Sequence, residues 1–307
     1  MSGGLTLQFS AQAQANIQRI TRELTDLQRQ IASGAAHNDL RGFGGGSSRL
    51  LTAQSLRAAS DAQGSVINQL QARFGVQGAA LGRVSDSAQV LALAIREAVS
   101  ANDGRGISVE LEMSFAATVS ALNETWNGQP LFAGERQSGS PVRVTTLEQL
   151  QQASGPDAVF NEAERHQTID LGAGSPMVLS KKASELSSDL FNTMLQLKTL
   201  LDAHGGTLGS PISGATTQQL NNIAAEFEAH AATFVTEEGR AGQLSSRFEA
   251  EQIRLTNRSD LLTKEIGDQA DADVGMASVR LATLMTQYQA TAKTFSELSQ
   301  LSLLDYL

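Results

Sequence analysis

"VGMASVRLATLMTQYQATAKTFSELSQLSLLDYL" (Val274 to Leu307) closes the sequence, and its periodicity decides the fold. Val274, Ala277, Leu281, Leu284, Tyr288, Thr291, Phe295, Leu298 and Ser302 recur at alternating intervals of three and four, the spacing of a seam along which two helices pack. The other faces are almost without charge. Arg280, Lys293 and Glu297 are the only charged residues between Val274 and Leu304, and Ala, Ser, Thr and Gln fill most of the rest. A helix bathed in water carries more charge than this. Asp305 and a terminal carboxylate at the negative end of the helix dipole, with no cation after Lys293, leave the last turn poorly capped. The stretch is therefore expected to be an interface that other helices cover.

A matching seam lies near the other end of the chain. Ala13, Ile17, Ile20, Leu24, Leu27 and Ile31 alternate in the same way beside Arg19, Arg22, Glu23 and Asp26, and Gly34 marks the stop. All five prolines (Pro130, Pro141, Pro156, Pro176 and Pro211) fall between these flanks. A proline inside a helix costs about 3 kcal/mol, so long helices are confined to the proline-free flanks.

Between the flanks a second helical seam runs Ile67, Leu70, Phe74, Gln77, Leu81, Val84, Ala88, Leu91, Ile95, Ala98, and "NDGRG" (Asn102 to Gly106) ends it. Gly75, Gly78 and Gly82 inside it predict the close approach of a neighbouring backbone. A third helix is expected from Ile107 to about Trp126 through Leu111, Phe115, Thr118 and Leu122. From Asn127 to Ser180, short apolar runs between Gly, Pro, Ser and Asn predict strands and turns. Helical spacing returns at Leu186, Leu190, Met194, Leu197 and Leu201. After "HGGTLGSPISG" it resumes through Leu220, Ile223, Phe227 and Phe234, with a change of phase near Gly267 and "DQADAD".

The fold class is thus mainly α, with long N- and C-terminal helices paired as a coiled coil and a small β-containing central insertion. The expected divisions are 1–45, an N-terminal helical arm; 46–126, the first part of a helical rod; 127–182, a β-containing outer domain; 183–240, the return of the rod; and 241–307, a C-terminal helical arm.

Composition narrows the function. In 307 residues, 41% hydrophobic and 18% charged content can build a core, while an aromatic share of only 5% suits long helices packed through small side chains and an extended shape. A net charge of −9 with no basic block argues against nucleic acid and anionic membranes as partners. With no cysteine, disulfides and thiolate chemistry are excluded. "MSGGLTLQFSAQAQ" has no basic residue before Arg19 and no continuous apolar core, so a cleaved secretory signal is not expected; no run approaches the roughly 20 apolar residues that span a bilayer. On these signals alone the chain reads as cytoplasmic.

Candidate chemistry is sparse. His37, His166, His204 and His230 have no partner at metal-ligand spacing. "GFGGGSS" (Gly42 to Ser48) follows a helix and lacks the GK[ST] ending of a phosphate cradle, so it is expected to be a flexible connector. Glu110/Glu112 and Glu237/Glu238 are expected on solvated faces, and the "NET" at Asn123 falls inside the expected third helix. No acid, base or nucleophile constellation stands out. No enzyme activity, metal or cofactor is expected.

Three stretches resemble the flagellin superfamily of bacterial axial proteins. "LQRQIASG" (Leu27 to Gly34) is similar to the end of the family's first helix. "NGQPLFAGERQSGSPV" (Asn127 to Val142) is similar to a segment of its hook–filament junction members, with Leu131, Phe132 and Gly134 in the matching positions. The stretch from Arg240 to Leu307 is similar over its whole length to the closing helix, and its Leu-Leu-Asp-Tyr-Leu ending is nearer the junction branch than filament flagellin.

The resemblance implies a non-enzymatic structural subunit that joins hook to filament by assembling with itself into a short tubular ring through its terminal helices. It also implies hook-associated protein 1 on the hook side, flagellin on the filament side and a cytoplasmic export chaperone as partners. The implied place is the extracellular flagellum, reached without a cleaved signal peptide, against the cytoplasmic reading. The assembly residues so implied are Ile17, Ile20, Leu24, Leu27 and Ile31 with Leu281, Leu284, Tyr288, Phe295, Leu298, Leu303, Leu304, Tyr306 and Leu307, and the family-motif residues are Gly34, Leu131, Phe132 and Gly134. The alternatives are a filament flagellin and, from another class, an intracellular coiled-coil adaptor.

Overall fold

The computed structural model of the chain describes residues 3–37, 39–153, 156–170 and 176–304. Among the described residues the architecture is mainly α: α1 (Gly3–Ser33), α2 (Ser47–Ala101), α3 (Ile107–Leu122), α4 (Leu147–Gln152), α5 (Ala183–Asp202), α6 (Gly214–Ala270) and α7 (Val274–Leu304). Two antiparallel ribbons accompany them, β1 (Thr125–Trp126) with β2 (Gln129–Pro130) and β3 (Thr168–Ile169) with β4 (Met177–Val178). No described helix is long and apolar enough to cross a membrane. None of the prolines interrupts an α-helix, as the cost of a proline in a helix interior requires.

The chain divides into two compact units, Met1–Ala62 with Leu255–Leu307, and Gln63–Arg254. In the second, the long seam of α2 is the spine of the core. Ile67, Leu81, Val84, Ala88, Leu91 and Ile95 are at most 2% exposed. Leu111, Phe115, Thr118 and Leu122 of α3, Leu190, Met194, Leu197 and Leu201 of α5, and Leu220, Phe227 and Phe234 of α6 are buried with them. Phe115 and Phe160 both pack on Phe191, at centroid distances of 5.5 and 5.7 Å, and Phe74 stacks on Phe248 at 5.6 Å. A buried polar seam joins α2 to its neighbours: Ser114 Oγ donates to the Ser87 carbonyl at 2.8 Å, and Ser85 Oγ to the Ala231 carbonyl at 3.0 Å. Small hydroxyl side chains with satisfied hydrogen bonds let these helices pack closely without stranded polar groups.

The structure departs from the sequence-based expectations in four places. The third helix stops at Leu122 instead of reaching Trp126, because Asn123 pairs with Val142 in both directions: its Nδ2 donates to the Val142 carbonyl at 3.0 Å and its Oδ1 accepts from the Val142 N–H at 2.8 Å. Asn127 and Gly128, with φ of 50° and 77°, then make the two-residue turn between β1 and β2, the Asn-Gly signature of a tight hairpin. The "NET" triplet therefore lies past the helix, with its amide already engaged.

No backbone approaches Gly75, Gly78 or Gly82. A side chain at Gly75 or Gly78 would meet nothing within 4 Å, and Gly82 sees only the Glu238 carboxylate. The glycine of α2 with a near neighbour is Gly64, where a Cβ would stand 3.2 Å from the Gln252 amide. The "GFGGGSS" segment is not a loose connector either. Leu40–Gly46 forms a 3-10 helix whose start is capped by Asp39 Oδ1 accepting from the Gly42 N–H at 3.1 Å, and it leads directly into α2. Finally, the 127–182 region holds little strand among its described residues. Its ribbons have two residues per strand, and α4 is added behind a Thr146 cap.

Candidate assembly interface

The terminal unit contains the pair that the two seams anticipate. Ile20 and Leu27 of α1 pack with Ala277 and Leu284 of α7, all at most 9% exposed, and Leu24, Ile31 and Leu281 flank them. Residues 34 and 272 meet at one end of the pair while Ile20 and Leu284 meet further along, so α1 and α7 run antiparallel. Backbone hydrogen bonds tie the near end: the Ala36 N–H donates to the Ala270 carbonyl at 2.7 Å and the Ala272 N–H to the Gly34 carbonyl at 2.8 Å. Ala35 and Asp271 form an antiparallel bridge between them.

Two glycines lie at this junction. Gly34 ends α1 at φ +71°, the left-handed conformation a side chain resists, and that turn sends the chain towards Asp271. At Gly267 a Cβ would lie 2.9 Å from Asp271 Oδ2, a contact that the Asp271 side chain can relieve by turning aside. Asp273 then caps α7 by accepting from the Met276 N–H at 2.9 Å. This is where the change of phase near "DQADAD" falls.

The outer faces differ. α1 carries i,i+3 and i,i+4 ion pairs, Arg29 with Asp26 and Arg19 with Glu23. On α7, Met276 and Val279 are each 69% exposed, Met285 is 49% exposed, and Tyr288 is 38% exposed. Large apolar side chains in water on a helix this poor in charge make a surface fit to meet further apolar helices.

Of the expected assembly residues, the structure gathers Ile20, Leu24, Leu27, Ile31, Leu281 and Leu284 into one cluster. Ile17 and Phe295 are half-buried and Tyr288 is exposed, outside that cluster. Leu298, Leu303 and Leu304 belong to the backbone of α7, their side chains lying outside the described residues, as do Tyr306 and Leu307 altogether. Ala277, which the three-and-four spacing placed in the seam, is a full member of the cluster although it carries only a methyl group.

The motif residues of the central unit form a separate crossroads. Leu131 and Phe132 are each 1% exposed. Ser180 Oγ donates to the Leu131 carbonyl at 2.7 Å and the Ala183 N–H to the Phe132 carbonyl at 2.8 Å. Gly134 has φ +63°, and a Cβ on it would fall 2.3 Å from the Arg165 carbonyl oxygen, which accepts the Glu135 N–H at 3.0 Å. Glycine is required there by conformation and by space.

Each histidine has a local partner: His37 packs edge-on to Phe43, His166 Nε2 lies 2.9 Å from Glu185, and His204 Nδ1 lies 2.9 Å from the Leu200 carbonyl. His230 Nε2 lies 3.0 Å from Thr193 Oγ1, which is 3.1 Å from Glu226 Oε2. Burial lowers the pKa of His230, against the opposing pull of Asp189 and Glu226. The hydroxyl–imidazole–carboxylate grouping has the partners of a nucleophilic site, but Thr193 is 3% exposed between α5 and α6, out of a substrate's reach. It ties the two helices together. Among the described residues no group of three or more His, Asp or Glu could hold a metal ion.

The chain thus combines an antiparallel pair of terminal helices that has an apolar outer face with a helical unit carrying small β ribbons. Residues 226–307 match the model of the bacterial flagellin C-terminal helical region. A solved structure described as a flagellar hook-associated protein from Vibrio parahaemolyticus superposes with a TM-score of 0.56 at 17% identity. It covers 75% of this chain and 98% of its own, a likeness of fold. FlgL of Bacillus cereus aligns at a TM-score of 0.41 and 13% identity, over 62% of this chain and 97% of its own. No curated protein sequence matches the chain.

Proposed function

We propose that this chain is a hook–filament junction subunit of the bacterial flagellum, of the hook-associated protein 3 type. It would act without catalysis, by joining copies of itself into a short tubular ring. The observation that carries the reading is the paired α1 and α7 with Met276 and Val279 left in water. Burying two such side chains in a neighbouring subunit is worth about 1.5–3 kcal/mol each, before the costs of association. The hook-associated description of the Vibrio parahaemolyticus structure, whose fold is shared, supports the same place in the flagellum.

On this reading the ring meets hook-associated protein 1 on one side and flagellin on the other. The chain is held by a cytoplasmic export chaperone and leaves the cell without a cleaved signal peptide. Assembly is assigned to Ile17, Ile20, Leu24, Leu27 and Ile31 with Leu281, Leu284, Tyr288, Phe295, Leu298, Leu303, Leu304, Tyr306 and Leu307. The domain scheme 1–45, 46–126, 127–182, 183–240 and 241–307 belongs to the same proposal.

A second reading, filament flagellin, is favoured by the match of residues 226–307 to the flagellin region itself. Immunogold labelling of isolated flagella separates the two. A label confined to the hook end supports the junction, whereas a label along the filament, or long filaments grown from the purified chain alone, refutes it. Deleting Leu303 to Leu307 should abolish incorporation while the 63–254 unit still folds; unchanged incorporation would remove those residues from the interface.

A further inference from the structure

In the central unit, Arg240 and Arg247 of α6 line a groove of about 350 Å³ together with Met177, Val178, Gln243 and Leu244. Seven residues of helix set their backbones about 10.5 Å apart along α6 and on the same side of it. The lining holds no carboxylate. Arg247 has no ion-pair partner among the described residues, and Arg240 reaches only Glu237, at 3.8 Å, whose other oxygen already takes Lys181 Nζ at 2.6 Å.

The groove continues into a recess of about 230 Å³, which shares Val178, Arg240 and Leu244 with it and in which Glu237 and Glu185 are taken up by Lys181 at 2.6 Å and His166 at 2.9 Å. Gln77, 6% exposed, lines that recess with its Oε1 unpartnered. One helical turn earlier, Arg73 is 7% exposed, and its guanidinium has one polar contact, Nη2 to Gln167 Oε1 at 2.5 Å, which leaves Nε unpartnered. In a chain of net charge −9, the groove itself is lined by two cations and no anion, with unmet hydrogen-bonding capacity beside it.

The register of the ribbon supplies a second feature. β3 and β4 pair Thr168 with Val178, and the Leu179 N–H donates to the Gln167 carbonyl at 2.9 Å. Hydrogen-bonded and non-hydrogen-bonded pairs alternate along an antiparallel ladder. Gln167 and Leu179 form a bonded pair, so the next one, Thr168 and Val178, does not, and the Val178 N–H and C=O point away from β3. Among the described residues the ribbon has two strands, so that edge of β4 carries no further strand. Val178, 39% exposed, lines both the groove and the recess.

We propose that this groove binds an extended acidic segment of a partner protein, which adds to the free edge of β4 at Val178 and sets carboxylates against Arg240 and Arg247. Backbone pairing at an open edge gives such binding its direction, and side chains on alternate positions give it specificity. On one face of an extended segment, carboxylates recur at about 6.7 and about 13 Å, bracketing the arginine spacing. Val178, Met177 and Leu244 offer apolar contact beside the charges.

The probe is a capped seven-residue peptide alternating glutamate and threonine, titrated into the full-length ¹⁵N-labelled chain. The expected result is a saturable shift of the Val178 amide that weakens as salt is raised, with affinity falling at least about tenfold in R240Q/R247Q. Both arginines are exposed, so the variant should keep the wild-type circular dichroism; R247Q alone, which touches no ion pair, gives an intermediate loss. Equal binding of a glutamine–threonine peptide, undiminished binding to R240Q/R247Q, or no shift at Val178 would overturn the proposal. Self-association of the chain that R240Q/R247Q abolishes would also overturn it, by putting a second copy in the groove.

Discussion

Leu284→Ala tests the pairing of α1 with α7 directly. Leu284 is 6% exposed and belongs to the buried cluster with Ile20, Leu27 and Ala277, against which Leu24, Ile31 and Leu281 pack. Truncating a buried leucine costs 2–5 kcal/mol, from lost transfer energy and the cavity left behind. The cluster is a two-helix seam that can partly collapse, so the low end applies, about 2.5 kcal/mol. That loss increases the open population of the pair about seventyfold. Native-state hydrogen exchange reads it locally: amides of α1 and α7 should lose protection by that factor, while those between Ile67 and Ile95 in the other unit stay unchanged. Met285→Ala, removing a side chain 49% exposed, serves as the control and should change protection by less than about threefold. Full protection of α1 in Leu284→Ala would refute the assignment of Leu284 to the seam. Loss of protection across Ile67 to Ile95 as well would show that the pair does not open on its own.

Gly134→Ala should destabilise the central unit by more than about 2 kcal/mol in urea denaturation, since the new Cβ meets the Arg165 carbonyl in a backbone conformation that already disfavours it. His230 has a pKa lowered by burial, so the folded state binds its proton less readily than the unfolded chain does. Stability should therefore fall as the pH drops below the ordinary histidine value and through the folded one, and His230→Gln should flatten that part of the pH profile. Asp103, hydrogen-bonded by the Arg105 side chain and backbone, has its pKa lowered to about 2; NMR titration of its carboxyl should find it there, and Arg105→Ala should return it towards the usual aspartate range.

The helical seams were legible because period and proline placement are strong, local signals. Every large seam residue from Ile67 to Ile95 is buried where the spacing put it, and Gly34 stops α1 as its position implies. What escaped depends on long-range contact. Asn123 stops α3 by pairing with Val142, nineteen residues away, which no helical pattern reveals. The Asn127-Gly128 turn was readable in principle from the dipeptide, but the helical run before it obscured the boundary. Whether a glycine accommodates a neighbour depends on what stands opposite: Gly64 faces Gln252 and Gly75 faces nothing, and both look alike in sequence. In the candidate interface the α1 and α7 members came from spacing, whereas the tie between Gly34 and Ala272 is made of backbone and leaves no side-chain signature.

That tie and the seam beyond it join residues at opposite ends of the sequence. During synthesis α1 leaves the ribosome well ahead of its partner Leu284, which follows more than two hundred residues later. At translation rates of 5–20 residues per second, Ile20 and Leu27 wait on the order of ten to fifty seconds for the side chains that will cover them. Throughout that interval the apolar stripe of α1 is open to any other hydrophobic surface. A factor that shields the nascent chain would thus act on α1 before the partner helix exists.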